Sequence, residues 1–241
     1  MLASQVDVLF AVSRHVRDGL IDLGVPESKV QVNLIGIDFQ RYRRDDAQRA
    51  MIRSQLGLGA EDTLILVTSH FRPGKGVELM PEVAAALRPR KGRCFVAVAA
   101  EGPKRAEIEA LAAGHALGPD RFRLLGRRDG IPSLLSAADM FMLPTDGRFE
   151  GLPVGALEAL ACGVPGIVTD VSGLRSELGA IAMVVAPGSV SALPEAAQLL
   201  LDDPDEAARM ATAAQEMIRA NYSVEKGASD LVAAYFGSGL R

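Results

Sequence analysis

From Thr63 onward the chain alternates short apolar runs with longer stretches of helical periodicity, and this alternation constrains its fold more than any other feature. The runs are TLILVTS from Thr63, CFVAVAA from Cys94, RFRLLG from Arg121, DMFML from Asp139, GIVT from Gly166 and IAMVV from Ile181. Most are apolar nearly throughout rather than every second residue, the mark of parallel strands covered on both faces. The segment from Val77 puts Met80, Val83, Ala84 and Leu87 on one stripe, and the segment from Lys104 puts Ile108, Leu111 and Ala112 together. Each stripe can cover one face of a sheet. The pattern predicts an α/β fold, a Rossmann-like parallel sheet flanked by helices.

After the last run the periodicity becomes helical only, over residues 191–201, 205–219 and 224–236. Asp203 and Pro204 suit the N-cap and first helical position of the middle one, so the acidic cluster there reads as capping. Residues 3–39 form a separate unit: a strand over 6–12, a helix capped by Ser13, a turn at Gly24, a second strand near Val30 and a connector. There is no internal repeat.

A formal charge of -4 gives no electrostatic reason to expect nucleic acid as a partner. Cys94 and Cys162 lie in small apolar contexts and read as core residues. No long apolar leader begins the sequence, and a cytoplasmic location is expected. Arg41, Arg43 and Arg44 around Tyr42, and Arg88, Arg90, Lys91 and Arg93, read mainly as solvated runs, with peripheral contact at the inner membrane face as the other reading. With only His15, His70 and His115 available, a Ser-His-Asp hydrolase lacks support, and neither a phosphate loop of the GxxxxGK type nor a zinc cluster occurs.

The chemically richest stretch is residues 145–173, TDGRFEGLPVGALEALACGVPGIVTDVSG. A strand ends at Pro144 and a helix begins near Pro153, leaving the amides of Gly151, Leu152 and Val154 at the carboxyl edge of a parallel strand. Ligands gather at that edge, and helix N-termini favour phosphate. Glu150 and Glu158 flank this helix start. A carboxylate accepts from adjacent hydroxyls, which suits Glu158 to a ribose diol and Glu150 to a sugar. Spacing alone leaves two solvated glutamates as the ordinary reading; the surrounding frame raises the functional one.

This stretch resembles the paired-glutamate motif of the GT4 family of retaining, nucleotide-sugar-dependent glycosyltransferases, which have the two-Rossmann GT-B fold. The motif E-G-(F/L)-x5-E-A-x-A-x-G-x-P matches at Glu150, Gly151, Leu152, Glu158, Ala159, Ala161, Gly163 and Pro165. The resemblance implies that Glu158 holds the ribose, Glu150 the donor sugar, and the backbone at Gly151 and Leu152 the sugar or diphosphate. SHFRPGKG from Ser69 is similar to the family's G-R-x4-K-G segment, with Lys75 and Gly76 in register. Lys75 is then expected to neutralise the leaving diphosphate. His70 stands where the family has arginine, which leaves one diphosphate contact open, and Arg72 is an alternative source of charge. Gly102 lies in a turn similar to the family's G-x-G-P, and Arg127 follows a glycine in the turn near which the nucleobase rests. Lys75 and Glu150 are the expected catalytic residues. The resemblance implies a UDP- or GDP-sugar as donor, and neither a metal nor another cofactor is expected.

On the same resemblance, residues 1–40 correspond to the end of an N-terminal acceptor domain plus the interdomain connector, and residues 41–241 to the nucleotide-sugar-binding domain. The connector's usual P-N-G-(V/I)-D becomes Leu34-Ile35-Gly36-Ile37-Asp38. The chain is thus expected to be the donor half of a glycosyltransferase, incomplete without an N-terminal domain, with an unknown acceptor. A separate N-terminal chain, or a second copy meeting the exposed N-terminal strand, would be a partner. The competing reading is a non-catalytic binding or assembly module.

Overall fold

The computed structural model describes residues 6–147 and 150–237. The six predicted strands all form: β3 (Thr63–Thr68), β4 (Cys94–Ala99), β5 (Phe122–Leu124), β6 (Met140–Leu143), β7 (Gly166–Thr169) and β8 (Met183–Val185). They make one sheet in the order β5-β4-β3-β6-β7-β8, and every neighbouring pair is parallel. Side chains alternate across it: Leu64, Leu66 and Phe141 enter one buried layer, while Ile65, Val67 and Met142 enter the other. Both faces are covered, which is why the strands read as unbroken apolar runs.

The helices after β3 are α3 (Met80–Ala86), α4 (Arg105–Gly114), α5 (Ile131–Ala137), α6 (Val154–Ala161), α7 (Leu174–Leu178), α8 (Ala192–Asp202), α9 (Pro204–Asn221) and the mostly exposed α10 (Val224–Gly237). Asp203 caps α9 by accepting from the Glu206 amide at 2.9 Å, with Pro204 at the first helical position. The helix expected from Val77 opens as a 3-10 turn before α3, because Gly76 in a left-handed conformation and Pro81 tighten its start. On α4, Ile108 and Ala112 are buried but Leu111 is exposed, so that stripe is narrower than its spacing suggested.

The N-terminal unit contains β1 (Leu9–Ala11), α1 (Arg14–Asp22) and β2 (Val30–Val32). β1 is shorter than the strand expected over residues 6–12, and it pairs in parallel with β2 as a two-stranded sheet. Ser13 caps α1 by accepting from the Val16 amide. One helix was not anticipated: α2 (Asp46–Leu56), capped by Asp45 and ended by a left-handed Gly57. Its Arg49 and Arg53 both reach Asp139, at 2.5 and 2.8 Å, and Arg53 also donates to the carbonyls of Gly59 and Asp62. Asp139 completes the knot by accepting from the Leu64 amide at 2.8 Å.

The basic runs are largely exposed, as expected of solvated tracts, with a few anchoring contacts. Tyr42 packs against the core, while Arg90, Lys91 and Arg93 pair with Asp202, Glu61 and Asp62. Cys94 and Cys162 are buried, and burial pushes their thiols up to about 11 and about 12, so neither is a ready nucleophile. Among the described residues no helix is long and apolar enough to cross a membrane.

Candidate functional site

The sheet order reverses between β3 and β6: the chain runs outward through β4 and β5, then returns to the other side of β3. At such a switch point the connections leave in opposite directions and a crevice opens beyond the carboxyl ends of the strands. A cleft of about 820 Å³ lies here, bordered by Thr68 at the end of β3 and Leu143 at the end of β6.

Two loops build its floor. The loop after β3 carries Gly74 and Gly76, both with positive φ. A side chain at Gly76 would put its Cβ 1.9 Å from the Pro144 carbonyl oxygen, so only glycine lets the two loops close on each other. Gly74 then accepts hydrogen bonds at 2.9 Å from both the Thr145 hydroxyl and the Asp146 amide. Below them, buried Thr169 donates toward the carbonyls of Leu143 and Thr145 at 3.2 and 2.5 Å. This stitching brings Lys75 to Glu150, Nζ to Oε2 at 2.8 Å, with the two side chains only 20% and 12% exposed.

His70, Lys75, Arg127, Glu150 and Leu152 all border the cleft. Gly102, Arg72, Gly151 and Glu158 do not. Gly102 has a structural reason to be glycine, since a Cβ would sit 2.7 Å from the Phe71 carbonyl oxygen. Arg72 is exposed and leaves the cleft to other cations. Arg128, beside Arg127 in the turn after β5, is one that the sequence reading missed. The doublet itself was the available signal.

The start of α6 differs in detail from expectation. Pro153 is the N-cap rather than the first helical residue, and the Val154 amide is already engaged by the Leu152 carbonyl at 3.0 Å. Val154 is therefore removed from the free amides. The amides of Gly151 and Leu152 have no acceptor among the described residues. Gly155 approaches Thr68 closely, where an added Cβ would lie 3.0 Å from its Oγ1, so α6 can rest against the end of β3.

Glu158 is one helical turn further along α6 and half-buried. Burial raises its carboxyl above the ordinary carboxylate range, although a hydrogen bond from Tyr42 and the nearby Arg41 charge act the other way. Burial and the Glu158 carboxylate together raise the Tyr42 phenol strongly. Arg41 lies over the Tyr42 ring at 5.5 Å from its centroid. The connector thus supplies Glu158 with its neighbours, a relationship that the reading of Arg41 to Arg44 as a solvated run did not contain.

Residues 48–217 match the family Glycosyl transferases group 1. The chain is 32% identical over 199 residues to alpha-D-kanosaminyltransferase of Streptomyces kanamyceticus, covering 81% of this chain and 50% of that protein. It is 29% identical over 232 residues to a GDP-mannose-dependent alpha-(1-6)-phosphatidylinositol monomannoside mannosyltransferase of Mycolicibacterium smegmatis, covering 92% and 60%. The Anabaena protein HepE, solved with UDP and glucose, superposes with a TM-score of 0.87 at 21% identity, over 96% of this chain and 64% of its own. The chain thus spans about half to two-thirds of the length of these proteins. Family match and parallel-sheet architecture agree with the GT-B type of fold, and the chain belongs to the group 1 glycosyl transferases.

Proposed function

We propose that this chain is the donor-binding part of a retaining glycosyltransferase that moves a sugar from a UDP- or GDP-sugar to an acceptor hydroxyl, completed by an N-terminal domain. The observation that carries the reading is the Lys75–Glu150 pair held at 2.8 Å in the crevice beyond β3 and β6. Kanosaminyl- and mannosyltransferase relatives, and a HepE structure holding UDP and glucose, support a nucleotide-sugar donor.

In this reading the diphosphate lies between Lys75 and the amides of Gly151 and Leu152, while Arg127 and Arg128 add positive charge along the cleft that His70 also borders. As the glycosidic bond breaks, negative charge grows on the leaving diphosphate, and Lys75 stabilises it where little water screens the interaction. Lys75 and these fixed dipoles serve where a metal ion would otherwise be needed. Glu150 accepts from hydroxyls of the transferred sugar and orients its anomeric carbon. The acceptor hydroxyl, brought by the N-terminal domain, attacks from the side the leaving group departs, its oxygen bonding to the anomeric carbon as its proton passes to the departing diphosphate. Glu158, behind the cleft lining and bonded to Tyr42, reads the ribose once Tyr42 yields part of its hold. Calorimetric titration with UDP, GDP, UDP-glucose and GDP-mannose tests the reading. Binding of at least one sugar nucleotide is expected; absence of binding by folded protein, alone or with an N-terminal domain supplied, overturns it.

A further inference from the structure

The Glu150–Leu152 loop is gripped through two consecutive carbonyls, from two different parts of the chain. Ser172 Oγ, in the loop after β7, donates to the Glu150 carbonyl. Ser13 Oγ, at the start of α1, donates to the Gly151 carbonyl at 2.9 Å. A trans peptide is planar, so its C=O and the next residue's N–H point in opposite directions. Fixing the Glu150 carbonyl toward Ser172 therefore aims the Gly151 amide away from Ser172. Fixing the Gly151 carbonyl toward Ser13 aims the Leu152 amide away from Ser13. These are the two amides left without an acceptor among the described residues.

Three further observations fit a held geometry rather than a chance contact. Ser13 is buried at 3% exposure, and the same hydroxyl oxygen accepts from the Val16 amide at 3.2 Å. Ser172 is a non-glycine residue at φ +53, a conformation that persists only where the surroundings impose it. The residues after Ser13 anchor the same region: Arg14 pairs with Glu177 of α7 at 3.3 Å, and His15 Cβ lies against Gly173. Val12 and Val16 wall the space beside Gly151.

We propose that Ser13 and Ser172 are positioning residues which aim the Gly151 and Leu152 amides at the donor, Ser13 thereby linking the N-terminal unit to donor recognition. The role in binding rests on the donor-site reading above; the aiming of the amides does not. A helix N-cap accepts Ser, Thr, Asp and Gly. Ser13→Thr keeps both the cap and the hydroxyl donor, whereas Ser13→Asp and Ser13→Gly keep an acceptable cap and lose the donor to Gly151. Ser172→Gly relieves the backbone and removes the other hydroxyl.

The 15N order parameters of Gly151 and Leu152 are measured in the full chain, with thermal unfolding as a check on folding. Values of ~0.85 are expected for the wild type and Ser13→Thr, falling below ~0.6 at Leu152 in Ser13→Asp and Ser13→Gly, and at Gly151 in Ser172→Gly. UDP-glucose and GDP-mannose are then titrated. Ser13→Asp and Ser13→Gly should weaken the sugar nucleotide that binds wild type by about five- to tenfold, the loss of one well-aimed hydrogen bond, with Ser13→Thr unchanged. If the donor-deficient variants fold normally and keep wild-type order parameters, the inference is wrong. If wild type binds neither sugar nucleotide, even with an N-terminal domain supplied, the donor reading fails while the order parameters still decide whether the serines hold the loop.

Discussion

Gly76→Ala probes the junction on which the cleft depends, because the glycine sits where two loops touch. Two costs combine there. The first is conformational: φ is +65, and an L side chain in the left-handed region costs about 1–2 kcal/mol. The second is steric. The new methyl would lie 1.9 Å from the Pro144 carbonyl oxygen and 2.7 Å from its carbon, both backbone atoms that cannot turn aside. Forcing such a contact apart typically costs a further ~1–3 kcal/mol. Gly188→Ala is the matched control: its φ is +70, yet nothing lies within 4 Å of the added Cβ. Urea unfolding should therefore show a loss of about 1–2 kcal/mol for Gly188→Ala and of roughly 2–5 kcal/mol for Gly76→Ala. The loop must also retreat, separating Lys75 from Glu150, so Gly76→Ala should bind nucleoside diphosphate more weakly than Gly188→Ala. Equal destabilisation by the two substitutions would refute the claim that close approach holds these loops together.

Other perturbations test separate parts of the structure. Arg53→Met should destabilise the chain by about 1–3 kcal/mol in urea unfolding, since the Gly59 and Asp62 carbonyls lose a donor while Asp139 keeps Arg49 as its partner. Because burial raises the Glu158 carboxyl, the folded state holds that proton more tightly than the unfolded chain, and stability contributed there falls as pH rises out of the ordinary carboxylate range. Glu158→Gln should flatten that decline in a pH series of unfolding midpoints; an unchanged slope would contradict the assignment. His70→Arg places a permanent charge on the cleft border, and calorimetry should show diphosphate binding strengthened about three- to tenfold.

The sheet was legible because burial on both faces leaves a direct trace in composition, as the runs from Thr63 and Cys94 show. The helices that pack on it were legible where their apolar stripes are dense. α2 was not, because it carries only Met51, Ile52 and Leu56 as large apolar residues and is tied down by Arg49 and Arg53, whose common partner Asp139 is far along the chain. The acidic and glycine signals at its ends, Asp45 and Gly57, were present without a stripe to join them. At the candidate site, the glutamate frame and Lys75–Gly76 were legible as local patterns. Tyr42 beside Glu158, Ser13 on Gly151 and Ser172 on Glu150 were not, since each contact spans many residues and follows only from how the elements pack. Arg128 was one position away from a residue already singled out.

In the proposed donor complex a nucleoside diphosphate lodges between Lys75 and the Glu150–Leu152 loop. Titration of isotope-labelled chain with UDP and with GDP, followed by amide NMR, tests it directly. Saturable shifts are expected for at least one of them, concentrated at Lys75, Gly151, Leu152 and Gly155, and largely lost in Lys75→Ala. Saturable shifts clustered elsewhere on the sheet, or undiminished in Lys75→Ala, would contradict it.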